Sequence, residues 1–162
     1  MPWGADPACT ADANLDTAGD TIAISAGCAS QQLFVGGVTA GGPLTGHAFS
    51  GVQLFAGVEH IQYAAGRVFV LGWPPGSDEA TAPAHVVSMT PDGSDGQDLG
   101  VVYDFVVSND ASFVLVSHQN DPLGGGAPTY SIVAHVGATT TPVPGLGAIA
   151  STGGVTLAWT PH

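Results

Sequence analysis

Arg67 is the only lysine or arginine in a chain of 162 residues, set against 13 Asp and Glu, for a formal net charge of −12. Solvent-facing helices draw on Lys, Arg and Glu for propensity and for ion pairs one turn apart, and here only Glu59 and Glu79 are glutamates. Solubility falls to Asp, Ser, Thr, Asn, Gln and backbone groups, which suit turns and strands. The same charge repels phosphate. Counterion release on nucleic acid needs several Lys or Arg contacts, so nucleic acid and anionic membranes are excluded as direct partners.

Every hydrophobic stretch is broken by Gly, Pro or a polar residue well short of the ~20 residues that cross a bilayer, so the chain is not expected to be an integral membrane protein. Met1-Pro2-Trp3-Gly4-Ala5-Asp6-Pro7 lacks the basic and apolar regions of a signal peptide. The length suits one domain that buries about two-thirds of the surface of its unfolded form. Hydrophobic residues make up 44%, enough for a packed core despite the many Gly and Pro.

From Thr21 onward, short segments rich in Val, Ile, Phe, Tyr and Thr alternate with Gly, Pro, Asp and Asn clusters, the pattern of an all-β fold. The clearest expected strands are Gln31–Gly36, Val52–Ala56, Glu59–Tyr63, Arg67–Trp73, His85–Met89, Leu99–Val107, Ser112–Ser117, Thr129–Gly137 and Val155–Thr160. In Leu99–Val107, alternation puts Val101, Tyr103, Phe105 and Val107 on one face. Ser112–Ser117 is apolar on both faces through its middle, as in a strand covered on both sides. Ser108-Asn109-Asp110-Ala111 reads as a hairpin turn, and Thr90–Asp98, with Pro91 followed by Asp92-Gly93, reads as a second. Pro91-Asp92-Gly93-Ser94 locally resembles the hairpins of bacterial β-propeller blades. It occurs once, and is read as turn chemistry, because a propeller needs several copies.

The fold expected is an antiparallel β-sandwich or jelly roll of eight to ten strands. Residues 1–20 form an extended N-terminal arm, 21–137 the sandwich core, and 138–162 a linker and C-terminal strand that packs on the core or a neighbouring subunit. Val155, Leu157 and Trp159 alternate on one face of that last strand. Trp3 and Trp159 are the candidate subunit contacts. Cys9 and Cys28 are either two free thiols or a disulfide, which would contribute ~3 kcal/mol on the chain-entropy estimate.

Each candidate site has a bland reading beside it. His60, His85, His118 and His135 fall in or beside strands, but no H-x-H or H-E-x-x-H spacing makes them a metal set. Asp92, Asp95 and Asp98 cluster on a turn without the ligand spacing of a calcium loop. Ser25, in Ala23-Ile24-Ser25-Ala26-Gly27, lacks the glycine of a nucleophile elbow. Arg67 is expected to form a structural salt bridge. No catalytic residue, cofactor site or metal site stands out.

The expected function is therefore non-catalytic: a structural or surface-display assembly subunit, such as a decoration or fibre-base domain on a virus particle or a cell-surface array. The chain resembles the general style of bacteriophage head-decoration and tail domains, without a shared motif. Its expected partners are proteins, including copies of itself in a homo-oligomer such as a trimer, because lysine-free strand edges need covering. A virion or extracellular location fits. The rival reading is a secreted carbohydrate-binding module with Trp73, Tyr63 or Tyr103 as stacking platform. A metal-dependent enzyme built on the histidines is a weaker third.

Overall fold

The computed structural model describes residues 10–15, 21–26, 32–37, 45–48, 57–73, 82–91, 93–118, 129–135, 137 and 139–143, those before Val58 by backbone alone. They form twelve strands: β1 (Thr10–Leu15), β2 (Thr21–Ala26), β3 (Gln32–Gly37), β4 (Thr45–Ala48), β5 (Gly57–Ala64), β6 (Arg67–Trp73), β7 (His85–Met89), β8 (Gln97–Val101), β9 (Asp104–Val107), β10 (Phe113–His118), β11 (Thr129–Ala134) and β12 (Thr140–Pro142). These make three four-stranded sheets, β1–β4, β5–β8 and β9–β12, and every pairing is antiparallel. Neighbours in each sheet are also neighbours in sequence, so each is a meander, without the crossings of a jelly roll among the described strands.

The second and third sheets pack face to face as a β-sandwich. Phe69 and Leu71 of β6, Val86 of β7 and Leu99 of β8 meet Phe105 and Val107 of β9, Val114 and Val116 of β10 and Val133 of β11 in one buried cluster. Full burial of each such side chain stabilises the fold by about 1.5–3 kcal/mol. The opposite face of the second sheet is also buried, through Val58, Ile61, Val68, Val70 and Met89, with Tyr63 and Val87 packed on them. β1 and β2 lie against β5. Covered on both faces, β6 reads Val-Phe-Val-Leu without polar interruption.

Turn chemistry closes the hairpins. Ala65 and Gly66 join β5 to β6 with φ of 46° and 78°, the pair of positive values that matches strand twist in a two-residue turn. Between β7 and β8, Thr90 accepts from Gly93 N–H and donates from its own N–H to Ser94 O, and Gly93 (φ 83°) and Asp95 (φ 51°) take left-handed conformations. Both sequence-expected turns, at 90–98 and 108–111, lie between paired strands.

One expected strand is wrong. Leu99–Val107 is two strands in two sheets: β8 ends at Val101, β9 starts at Asp104, and Val102–Tyr103 carries the chain across. Gly100, at φ 112°, and a bulge opposite Val86/Val87 turn the strand. Val102 N–H then bonds Ala84 O, and Tyr103 N–H bonds Ser117 O. Val102 is buried while Val101 and Tyr103 face out, the reverse of the expected alternation.

Elsewhere β1 lies within the expected arm and pairs with β2, while β12 lies within the expected linker, with Pro142 on an edge strand, where a missing N–H is tolerated. The expected strands at 52–56 and 155–160 lie outside the described residues.

Candidate functional site

The two sheets of the sandwich have chemically different ends. At the first end the connections are short: 65–66, 90–96, 108–112 and 135–139. Five polar side chains meet there, and those bonded to His135 tie the sheets together. Arg67, the first residue of β6, donates from one guanidinium nitrogen to Asp95 Oδ2 at 2.8 Å and from the other to Asp95 O at 2.8 Å and Ser88 Oγ at 3.2 Å. Ser88 Oγ lies 2.8 Å from His135 Nε2 on the third sheet. Gln97 Nε2 donates to His135 O at 2.9 Å, and His135 N–H bonds Ser112 O.

Ser88 Oγ accepts from Arg67 and shares a hydrogen bond with His135 Nε2, while the His135 side chain also bonds the Ala111 backbone. Burial, and then the positive charge of Arg67, hold the His135 pKa below its ordinary 6.5. A serine within reach of a histidine is the geometry of an activated nucleophile. Here Ser88 is fully buried and its oxygen already accepts from the Arg67 guanidinium.

Asp110, in the turn of this same end, accepts from Ser108 Oγ, Ser112 N and Ser112 Oγ at 2.7–3.0 Å. These bonds lower its pKa to about 2, Ser108 contributing most. Asp104 accepts from Phe105 N–H within β9.

At the opposite end the connections are residues 74–84, 102–103 and 119–128. Val101 is 47% and Tyr103 62% exposed, although their backbone is pinned through Val102 and Tyr103 N–H and by His118 Nδ1 3.3 Å from Val101 O. His85 Nδ1 meets Asp98 Oδ2 at 2.9 Å, and Asp98 Oδ1 accepts from Gly100 N–H. The result is a rigid connector displaying two large apolar side chains.

The structure separates the sequence candidates. Tyr63 sits at the end of β5 nearest the first set of turns, packed on the core. Trp73 closes β6 at the other end and is half-buried, so Tyr63 cannot share a stacking platform with Trp73 or Tyr103. The histidines are dispersed. His60 stacks tilted on Phe105, with centroids 5.0 Å apart, His135 meets the Phe69 ring, and His85 and His118 have the partners above. Among the described residues no three His, Cys, Asp or Glu converge as a metal set. Asp95 and Asp98 serve Arg67 and His85 in place of a calcium loop; Asp92 lies outside the described residues, as do Trp3, Cys9, Ser25, Cys28 and Trp159. Arg67 forms the structural bridge expected of it. Its junction with Ser88 and His135 joins positions far apart in sequence, so no spacing announces it.

No protein-family model matches the chain, and a search of the curated proteins finds no match. No helix among the described residues is long and apolar enough to cross a membrane.

Proposed function

We propose that the chain is a non-catalytic assembly and display domain, of the kind that decorates a virus particle or a cell-surface array, and that it engages protein through the end marked by Val101 and Tyr103. One observation carries this reading: two large apolar side chains are held out to solvent on a backbone fixed from both sheets. An exposed tyrosine on rigid backbone loses little entropy when covered, which is why tyrosine is enriched at binding hot spots. With a net charge of −12, the surface favours neutral or basic protein over any polyanion. Copies of the same chain, in a closed oligomer such as a trimer, are the first partners to test, with Trp3 and Trp159 as further contacts.

The exposure of Tyr103 also supports a second reading, a carbohydrate-binding module in which its ring stacks on a sugar and the neighbouring Asp104 offers hydrogen bonds. Sedimentation velocity on the wild type and on a Val101→Ser/Tyr103→Ser variant tests the first reading. A closed oligomer that the variant converts to monomer supports it. A monomer that binds a glycan array through Tyr103 supports the second reading instead, and a monomer blind to glycans overturns both.

A further inference from the structure

The connection between β7 and β8 carries both Asp-Gly pairs of the chain, Asp92-Gly93 and Asp95-Gly96. Such pairs are chemically labile. The backbone nitrogen of the glycine can attack the aspartate Cγ, because no glycine side chain hinders the approach, and a five-membered succinimide closes. In that step the N–Cγ bond forms, the Cγ–OH bond breaks, and the hydroxyl leaves as water with the amide hydrogen. Water then adds back at either carbonyl. Opening at one restores aspartate; opening at the other leaves isoaspartate, whose main chain runs through Cβ and Cγ and is one carbon longer.

At Asp95 nothing steric stands in the way. Its side chain is 77% exposed, and a Cβ placed on Gly96 would meet nothing within 4 Å. What holds the residue is Arg67. One guanidinium nitrogen takes Oδ2 and the other takes the main-chain oxygen, each at 2.8 Å. A planar fork of fixed geometry grips both oxygens from one side. In the succinimide the two carbonyl oxygens point away from each other across the ring nitrogen, so one guanidinium cannot hold both. Ring closure therefore costs at least one charge-assisted hydrogen bond. In the neighbouring pair the attacking nitrogen is engaged instead, Gly93 N–H donating to Thr90 O at 2.9 Å.

We propose that Asp95-Gly96 is a latent site of spontaneous isoaspartate formation, kept closed by the grip of Arg67 on the Asp95 carboxylate and carbonyl together. The chemistry needs only water. Once formed, isoaspartate lengthens the turn by one main-chain carbon and exchanges the two groups that Arg67 grips, amide carbonyl for carboxylate. The change falls on the residues that clamp the β7–β8 hairpin, beside the Ser88 and Gln97 bonds to His135. It is independent of the display reading, since Val101 and Tyr103 lie at the other end.

Ageing the purified full-length chain at pH 7.5, followed by peptide mapping with electron-transfer fragmentation, tests the proposal, because it distinguishes isoaspartate from aspartate and assigns it to position 92 or 95. In Arg67→Leu, isoaspartate at 95 is expected to accumulate about tenfold faster than in the wild type, the rate equivalent of releasing one charged hydrogen bond. Position 92 should change little. Ser88→Ala controls for loosening alone: it removes the hydroxyl that meets His135 and leaves both bonds to Asp95, so position 95 should age at the wild-type rate. Should Arg67→Leu lose its β circular dichroism, Arg67→Lys replaces it, keeping the charge without the fork. Equal rates at 95 in the wild type and the Arg67 variant overturn the proposal. So does an equal rise at 92 and 95, or a rise in Ser88→Ala, because the turn as a whole would then be the guard.

Discussion

The two ends of the sandwich are built from the same strands and use their side chains differently, although Phe113, at the start of β10, is 45% exposed at the end of the short turns. At the end of the short turns most polar groups satisfy one another, Arg67 with Asp95 and Ser88, Ser88 with His135, Gln97 with the His135 carbonyl, Asp110 with Ser108 and Ser112, while Arg67 Nε is buried without a partner. At the other end the backbone is equally well bonded, yet Val101 and Tyr103 stand in solvent. A chain with one guanidinium has placed it across the β7–β8 hairpin of the second sheet, beside the Ser88 and Gln97 bonds that cross to His135. At the opposite end the exposed Val101 and Tyr103 stand beside the His85–Asp98 pair. On the proposed reading, stability belongs to one end and binding to the other.

The largest effect should come from Arg67→Leu. It removes three hydrogen bonds and lowers unfolding free energy by about 1–3 kcal/mol in urea melts. Asp95→Asn should cost less than about 1 kcal/mol, since Asp95 is 77% exposed and solvent screens the pair, while asparagine tolerates the positive φ. Equal losses would mean that the ion pair itself, and not the tie to Ser88 and His135, holds this end.

Acid should act on the same end. A histidine whose folded pKa lies below its unfolded value favours the neutral form, so its contribution is complete above about 6.5 and declines as pH falls from there toward the folded pKa. Thermal melts between pH 7.5 and 5 should therefore drop for the wild type and drop less for His135→Gln. Asp110, held near 2, contributes in full above the ordinary carboxylate range and loses that contribution as pH falls from about 4 toward 2, so it does not confuse that window. An identical pH profile for both proteins would remove His135 from the account.

Smaller again is the turn at Ala65, a residue with a Cβ at φ 46°. Ala65→Asn should raise stability by ~0.5–1 kcal/mol, because asparagine accepts this conformation more readily. Smallest should be Tyr103→Ser, whose unfolding free energy should stay within about 0.5 kcal/mol of wild type while self-association is lost. A large stability loss there would make Tyr103 a packing residue and erase the distinction between the ends.

Legibility from sequence followed the same division. β6 and β7 lie at their expected limits, Arg67–Trp73 and His85–Met89, because β-branched runs bounded by Gly, Pro and Asp leave little choice. The hairpin at Ser108–Ala111 is likewise set by local chemistry, since Asp110 bonds its own neighbours. Alternation failed at Leu99–Val107 because a change of sheet does not interrupt apolar periodicity. Gly100 inside an unusually long expected strand was the available signal. The junction of Arg67, Ser88 and His135 depends on sheet stacking, which no local pattern encodes, and Tyr103 was marked as an aromatic without its exposure being deducible.

Hydrogen–deuterium exchange at low and high protein concentration tests the division of labour most directly. The account predicts that assembly adds protection around residues 101–104 and His118 and leaves the turns at 90–96 and 108–112 unchanged. Added protection at those turns, with none around Tyr103, would contradict it.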